Sequence, residues 1–203
     1  MRRTKEEAAQ TRQDLLEAAL TIFSQQGYAA ARLEDIAEAA GVTRGAIYHH
    51  FGSKADLFQA LVEDASALGS NVVQNAIAEG GTFVEITRRV LVRTMHLLED
   101  NRRFREVMAL TLFKTGGSPE LDAFTQQRHE QARTQVEQIA GFFRSGIEQG
   151  ALRSDLAPDT AARAFLAYQN GLALLWLSNP EAFSIKGEAE ELAGVLLNGI
   201  VSP

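Results

Sequence analysis

Between Gly41 and Lys54 the chain reads GVTRGAIYHHFGSK, a run that brings Arg44, Tyr48, His49, His50 and Lys54 within fourteen positions. Three chemistries could use such a set. A metal would take the imidazoles, a covalent catalyst would need a nucleophile beside them, and a nucleic-acid surface would use the Arg, the Tyr and the Lys. Neighbouring helical positions point about 100° apart, so His49 and His50 cannot share one ion without unwinding the backbone. The other two histidines, His96 and His129, show no carboxylate–histidine spacing that would make a site. No metal and no cofactor are expected. No GxSxG, HExxH, Walker or GxGxxG pattern occurs, and Gly116-Gly117-Ser118 follows no strand, so it reads as a loop and not a phosphate cradle. Paired carboxylates such as Glu6-Glu7 and Glu190-Glu191 sit on polar faces. The chain is not read as an enzyme.

The stretch makes sense with the residues before it, as LEDIAEAAGVTRGAIYHHFG from Leu33 to Gly52. Two short helices joined by a tight turn need apolar contacts from both, a small residue where they approach, and glycine where the turn requires positive φ. Ile36, Val42 and Ile47 supply the contacts, Ala37 the small residue and Gly41 the turn, while Thr43 can cap the second helix through its hydroxyl. This is helix-turn-helix spacing. In that motif the first part of the second helix enters the major groove, which places Thr43, Arg44 and Gly45 against base edges. Arg matches the O6/N7 edge of guanine, and Gly lets the backbone come close. Tyr48, His49 and Lys54 lie where phosphates run. Arg2, Arg3 and Lys5 form a basic arm that either follows the DNA or serves as a solubilising tail.

The elements that must position this unit are all helical. Leu15, Leu16, Ala19, Ile22 and Phe23 recur at helical steps until Gly27. Leu33, Ile36, Ala37 and Ala40 make a second face stopped by Gly41, and Ala46, Ile47 and His50 a third stopped by Gly52. Ser53, with Asp56 three residues on, reads as a capping box opening a longer helix through Leu57, Leu61, Ala65 and Leu68. After Gly80-Gly81 the pattern predicts helices from Phe83 to about Asp100, Arg102 to Phe113, Glu120 to about Gln149, Pro158 to Asn179 and Gly187 to Ile200. No window alternates with period two. The fold class is all-α, about nine helices, with a helix-turn-helix domain over 1–53 and a helical effector-binding and dimerisation domain over 54–203.

Composition narrows the partners. The chain has 203 residues, 45% apolar and 23% charged, and a net charge of −6. An acidic protein does not coat nucleic acid at large, so any DNA binding must come from local positive charge. No run approaches the eighteen apolar residues of a membrane span, and the first residues lack the apolar stretch of a secretory signal. There is no cysteine, which removes disulfides, thiolate zinc sites and Cys nucleophiles and fits a reducing cytoplasm, the expected location.

GVTRGAIYHHFGSKADLF, preceded by LEDIAEAA and by IFSQQGY at 22–28, resembles the N-terminal DNA-binding domain of the TetR family of transcriptional regulators. The block Ile36-Ala37, Ala40-Gly41-Val42, Ile47-Tyr48, His50-Phe51 and Lys54 carries the resemblance, over about residues 10 to 60. RRTKEEAAQTR near the start and GLALLWLSNPEAFSIKGEAEELAGVLLNGI near the end are similar to the AcrR/TtgR-like drug-efflux repressor branch. The resemblance implies a homodimer that binds a near-palindromic double-stranded DNA operator and is released by a small hydrophobic effector. It implies base-facing roles for Thr43, Arg44 and Gly45 and phosphate contacts for Tyr48 and Lys54. His49 departs from the Trp or Tyr usual there, and its titratable ring is expected to weaken a backbone contact at high pH. At Ala31-Arg32 the family's usual hydroxyl is missing, and Arg32 is expected to replace it by charge.

The remaining helices hold the candidates for effector and partner. Met and aromatic side chains suit a pocket that takes several apolar shapes; they also simply fill cores. Met95, Met108, Phe113, Phe142 and Trp176 are nominated on that basis. Gln169 and Asn170 interrupt the apolar run FLAYQNGLALLW, where an unpaired buried amide would cost roughly 1–3 kcal/mol, so Gln169 joins the set, with His96, Gln126 and His129 as lesser members. Leu172, Leu175, Leu192, Val195 and Leu196 on the last two helices, beside the small residues Gly171, Ala173, Ala193 and Gly194, are the expected dimer interface in a four-helix bundle. The alternative reading is a DNA-binding regulator without an inducer, whose C-terminal half docks a protein.

Overall fold

The computed structural model describes residues 5–115 and 118–201. Arg2, Arg3, Gly116 and Gly117 therefore lie outside the described residues. Among those described, nine α-helices follow in order: α1 Lys5–Ala30, α2 Leu33–Ala39, α3 Arg44–Phe51, α4 Lys54–Ala78, α5 Phe83–Asp100, α6 Arg102–Phe113, α7 Asp122–Glu148, α8 Pro158–Ser178 and α9 Ala189–Ile200. A single 3-10 turn at Pro119–Leu121 precedes α7. One isolated antiparallel bridge joins Leu152 and Val201. The all-α reading holds, and no described helix is long and apolar enough to cross a membrane.

The chain divides into two compact units that do not follow chain order. One comprises residues 1–68 with 103–125, the other 69–102 with 126–203. These units are drawn by packing.

The first unit is built on an aromatic cluster. Phe23, Tyr28 and Phe58 are fully buried and meet pairwise at ring distances of 5.6, 5.7 and 5.1 Å, and Phe124 closes on Phe58 edge-to-face at 5.3 Å. Such pairs add about 0.5–1.5 kcal/mol each beyond their buried area. Tyr28 reaches this cluster only because α1 breaks at Gly27, where φ is 77° and ψ is 163°. That conformation is essentially restricted to glycine. Gly27 was expected to end the helix, and it does so by turning the next residue inward. The Tyr28 amide donates to the Lys114 carbonyl at 3.1 Å, and the Tyr28 hydroxyl donates to the Glu120 carboxylate at 2.9 Å. Burial first, and this hydrogen bond second, raise the Tyr28 pKa. Arg103 on α6 bridges Glu17 of α1 and Asp64 of α4 at 3.1 and 2.7 Å.

In the second unit α5 packs on α8 and α9, and α8 on α9. Phe83 stacks on Phe142 at 4.3 Å, and Phe143 meets Phe165 edge-to-face at 5.6 Å. Arg88–Glu190 and Lys186–Asp100 ion pairs edge the same packing. The start of α5 carries a full capping box from Thr82 and Glu85 that sequence reading overlooked behind Gly80-Gly81. Beside it, hydrogen bonds from Arg93 and Arg89 hold the Glu79 carboxyl down at about 2.

Replacing Gly27 with Ala should destabilise the protein by about 1–3 kcal/mol, because the Gly27 conformation excludes a Cβ. The test is the urea midpoint, with the loss of the folded baseline of Tyr28 fluorescence as a local probe.

Candidate nucleic-acid interface

The turn between α2 and α3 is closed by backbone hydrogen bonds. Gly41 N–H donates to the Glu38 carbonyl at 3.0 Å and Val42 N–H to the Ala37 carbonyl at 2.9 Å, with Gly41 at φ 65° as the motif requires. Ile36 and Ile47 are fully buried, and Ala37 nearly so. Val42 is half-buried. The apolar residues nominated from sequence thus hold α2 and α3 together. Thr43 occupies the N-cap of α3 but makes no capping hydrogen bond, so the expected cap is corrected: its hydroxyl stays exposed alongside the helix start. Helix starts leave backbone N–H groups without intrahelical partners, and an exposed hydroxyl beside them suits a phosphate or a base edge.

Arg44 and Gly45 are exposed on the first turn of α3, and Tyr48 and His49 on the next. Arg44 does not extend freely. Its Nη2 and Nε donate to the Tyr48 hydroxyl at 2.6 and 3.2 Å, its guanidinium lies 5.3 Å from the Tyr48 ring centre, and its Nη1 pairs with the Glu34 carboxylate of α2. The hydrogen bond with Tyr48 first, and the Glu34 charge next, raise its pKa. His49 and His50 meet edge-to-face at 5.4 Å with His50 half-buried, and no cluster of three metal-ligating side chains occurs among the described residues.

Two nominated phosphate contacts look different in three dimensions. Lys54 is half-buried, its ammonium 4.5 Å over the Tyr28 ring and 3.4 Å from the Ala29 carbonyl. Burial lowers its pKa. It therefore clamps the turn after Gly27 as well as facing outward. Arg32 is exposed at the N-cap of α2 and forms no side-chain cap. Ser53 does cap α4: its Oγ accepts from the Asp56 amide at 3.0 Å, and its hydroxyl donates to the Asp56 carboxylate at 2.6 Å. The reciprocal bond runs through the hydroxyl where a full box would use the Ser53 N–H, because the Asp side chain is one methylene shorter than Glu.

The effector candidates lie on four helices. In the second unit Met95 and Trp176 are buried, His96, Phe142 and Gln169 half-buried, and Gln126 and His129 exposed on α7. Met108 and Phe113 belong to α6, the latter exposed. Trp176 donates its indole N–H to the Phe183 carbonyl at 3.1 Å, which gives it a packing role of its own. Asn170 is exposed, so the argument from a buried unpaired amide does not apply to it. Of the interface candidates, Leu175 and Val195 are 59% and 64% exposed and Leu172, Leu192 and Leu196 half-buried, with Leu174 at 46% beside them. Sequence reading missed Glu34, Tyr28 and Glu120. Glu34 looked like one more acid in a first helical turn, and only the folded turn sets it against Arg44.

A two-helix motif with an exposed arginine at the head of its second helix, carried on a larger helical body, defines a helix-turn-helix transcription regulator. The chain belongs to the TetR family: residues 15–61 match the family described as bacterial regulatory proteins, tetR family, and residues 83–201 match the C-terminal region of the MAATS-type transcriptional repressors. It is 34% identical to the HTH-type transcriptional regulator AcrR of Shigella flexneri, over 97% of this chain and 92% of that protein. Its fold is similar to that of NalD, the secondary repressor of the MexAB-OprM multidrug efflux pump in Pseudomonas aeruginosa, with a TM-score of 0.85, 26% identity and coverage of 97% and 98%. A complex of SmeT with triclosan matches with a TM-score of 0.81 at 26% identity, covering 95% of this chain and 92% of that one. The protein is accordingly a DNA-binding transcriptional regulator and not an enzyme.

Replacing Ser53 with Ala should cost about 1 kcal/mol through loss of the α4 cap. Differential hydrogen exchange at the Asp56 and Leu57 amides would locate the loss at that helix start.

Proposed function

We propose that the protein is a homodimeric repressor of a multidrug efflux pump that reads a near-palindromic operator through α3 and is released by small hydrophobic effectors. The single observation that carries this reading is the exposed head of α3, with Thr43 at the N-cap, Arg44 and Gly45 in the first turn and Tyr48 and His49 in the second. The first turn reads base edges, while Tyr48, His49, Arg32 and Lys54 serve phosphates. Functionally, residues 1–53 are the reading domain and 54–203 the effector and dimerisation domain, within a cytoplasmic protein.

The pump as target is supported by NalD, a secondary repressor of such a pump, and an apolar effector by the triclosan complex of SmeT. Within the second unit, Met95, His96, Gln126, His129, Phe142, Gln169 and Trp176 are the proposed effector contacts. Dimerisation is supported by the exposed apolar faces of α8 and α9, where Leu175 and Val195 stand out and Leu172, Leu192 and Leu196 flank them. Twofold symmetry would then set two copies of α3 about one duplex turn apart. An effector that binds better to a conformation with another spacing lowers DNA affinity by that difference alone.

Three experiments test this reading. Arg44→Ala should lose about 1–3 kcal/mol of discrimination at particular base pairs, whereas Lys54→Ala should weaken binding to all duplexes alike; equal, sequence-independent losses would remove Arg44 from base reading. Paired Leu175→Glu and Val195→Glu substitutions should turn the dimer into a folded monomer by sedimentation, since each unpaired buried charge costs several kcal/mol. Isothermal titration with triclosan and other apolar drugs completes the test, and a uniform lack of heat would favour a protein partner in place of an effector.

A further inference from the structure

The reading arm of α3 is already occupied in the free protein. Arg44 offers five N–H donors on a rigid fork. Its Nε and Nη2 are on the Tyr48 hydroxyl, and its Nη1 is on the Glu34 carboxylate. The guanidinium lies against the Tyr48 ring, one helical turn along α3. Arg44 and Glu34 remain 54% and 56% exposed. An ion pair so open to water adds little to the stability of the fold. Its consequence falls on what Arg44 can bind next.

Non-specific affinity for DNA comes from cations that neutralise phosphates and release counterions, about 0.9 per contact on B-DNA. An arginine already paired with a carboxylate gains little by exchanging that oxygen for one phosphate oxygen, and it brings the carboxylate along. A guanine edge is different. O6 and N7 together take two parallel hydrogen bonds from one guanidinium, and Nε and Nη2, which rest on the Tyr48 hydroxyl, can supply them while Nη1 stays on Glu34. We propose that Glu34 is a specificity-determining residue that positions Arg44 and withholds its charge from phosphates, keeping hold of Nη1 while Nε and Nη2 turn from the Tyr48 hydroxyl to a guanine edge. The inference rests on the reading that α3 enters the major groove. Glu34 acts through Arg44 and touches no base itself.

The mechanism separates affinity from specificity. Glu34→Gln frees Arg44 for any phosphate, so binding to arbitrary duplexes tightens while binding to the preferred duplex changes less. Glu38, an exposed acid on the same helix, is the control. Glu38→Gln removes the same charge from α2 without touching the Arg44 pair.

The test uses the full-length protein and two duplexes: one selected by the wild-type protein from a random-sequence pool, and one of scrambled sequence and equal composition. Affinities are measured from 50 to 200 mM salt. Glu34→Gln should bind the scrambled duplex roughly fivefold more tightly at the lowest salt, with a salt slope steeper by about 0.9. Preference for the selected duplex should fall by a similar factor, and Glu38→Gln should show neither the slope change nor the loss of preference. In an Arg44→Ala background the effect of Glu34→Gln should shrink to that of Glu38→Gln, because the pair is no longer there to break. If Glu34→Gln matches Glu38→Gln with Arg44 intact, or tightens both duplexes equally, the proposal is overturned while DNA reading by α3 stands. If the wild-type protein selects no sequence at all, the reading of α3 itself falls, and this role for Glu34 with it.

Discussion

A helix of eight residues has no stability of its own in water, and α3 has a single fully buried residue. Ile47 is the anchor. Everything the helix presents outward depends on that one side chain sitting beneath the α2–α3 turn while Gly41 and the Ala37–Val42 hydrogen bond fix the entry angle. The economy of the arrangement explains the exposure around it. With Ile47 fully buried and Ala46, His50 and Phe51 half-buried, Arg44, Gly45, Tyr48 and His49 are the residues of α3 left exposed.

The support beneath this motif is less local than its sequence suggests. Tyr28 is drawn into the aromatic cluster by the break at Gly27, and its two polar groups are satisfied by Lys114 and Glu120, more than eighty positions later. A buried hydroxyl without a partner would cost about 1–3 kcal/mol, so Lys114 and Glu120 complete the first unit and do not merely lie near it. Arg103 ties α6 to α1 and α4 by the same logic, with a mostly buried guanidinium between two carboxylates. The packing unit that holds the reading helices therefore includes residues 103–125, whereas a functional map drawn along the chain stops at 53.

Electrostatics run through the structure as paired charges. In a chain of net charge −6, Arg44, Arg88, Arg89, Arg93, Arg103, Arg153 and Lys186 all meet carboxylates. Most of these pairs edge helix contacts or cap a turn. The pair of Arg44 with Glu34 differs in lying at the exposed head of α3, the surface proposed to meet DNA.

Much of this was legible in the sequence because the determining physics is local. Helical periodicity, the stops at Gly27, Gly41 and Gly52, Pro158 in the first turn of α8 and the two-helix motif from Leu33 to Gly52 each depend on residues a few positions apart, and the described structure follows them. The family could be recognised for the same reason, since its block of residues is contiguous. Other features were decided only by the tertiary fold. Thr43 makes no cap, Lys54 turns partly inward over Tyr28, Asn170 faces solvent, and Glu34 finds Arg44 across a turn. Each of these depends on which side chain lies opposite which once separate helices are packed, and contacts across ten to ninety positions leave no periodic mark on the chain.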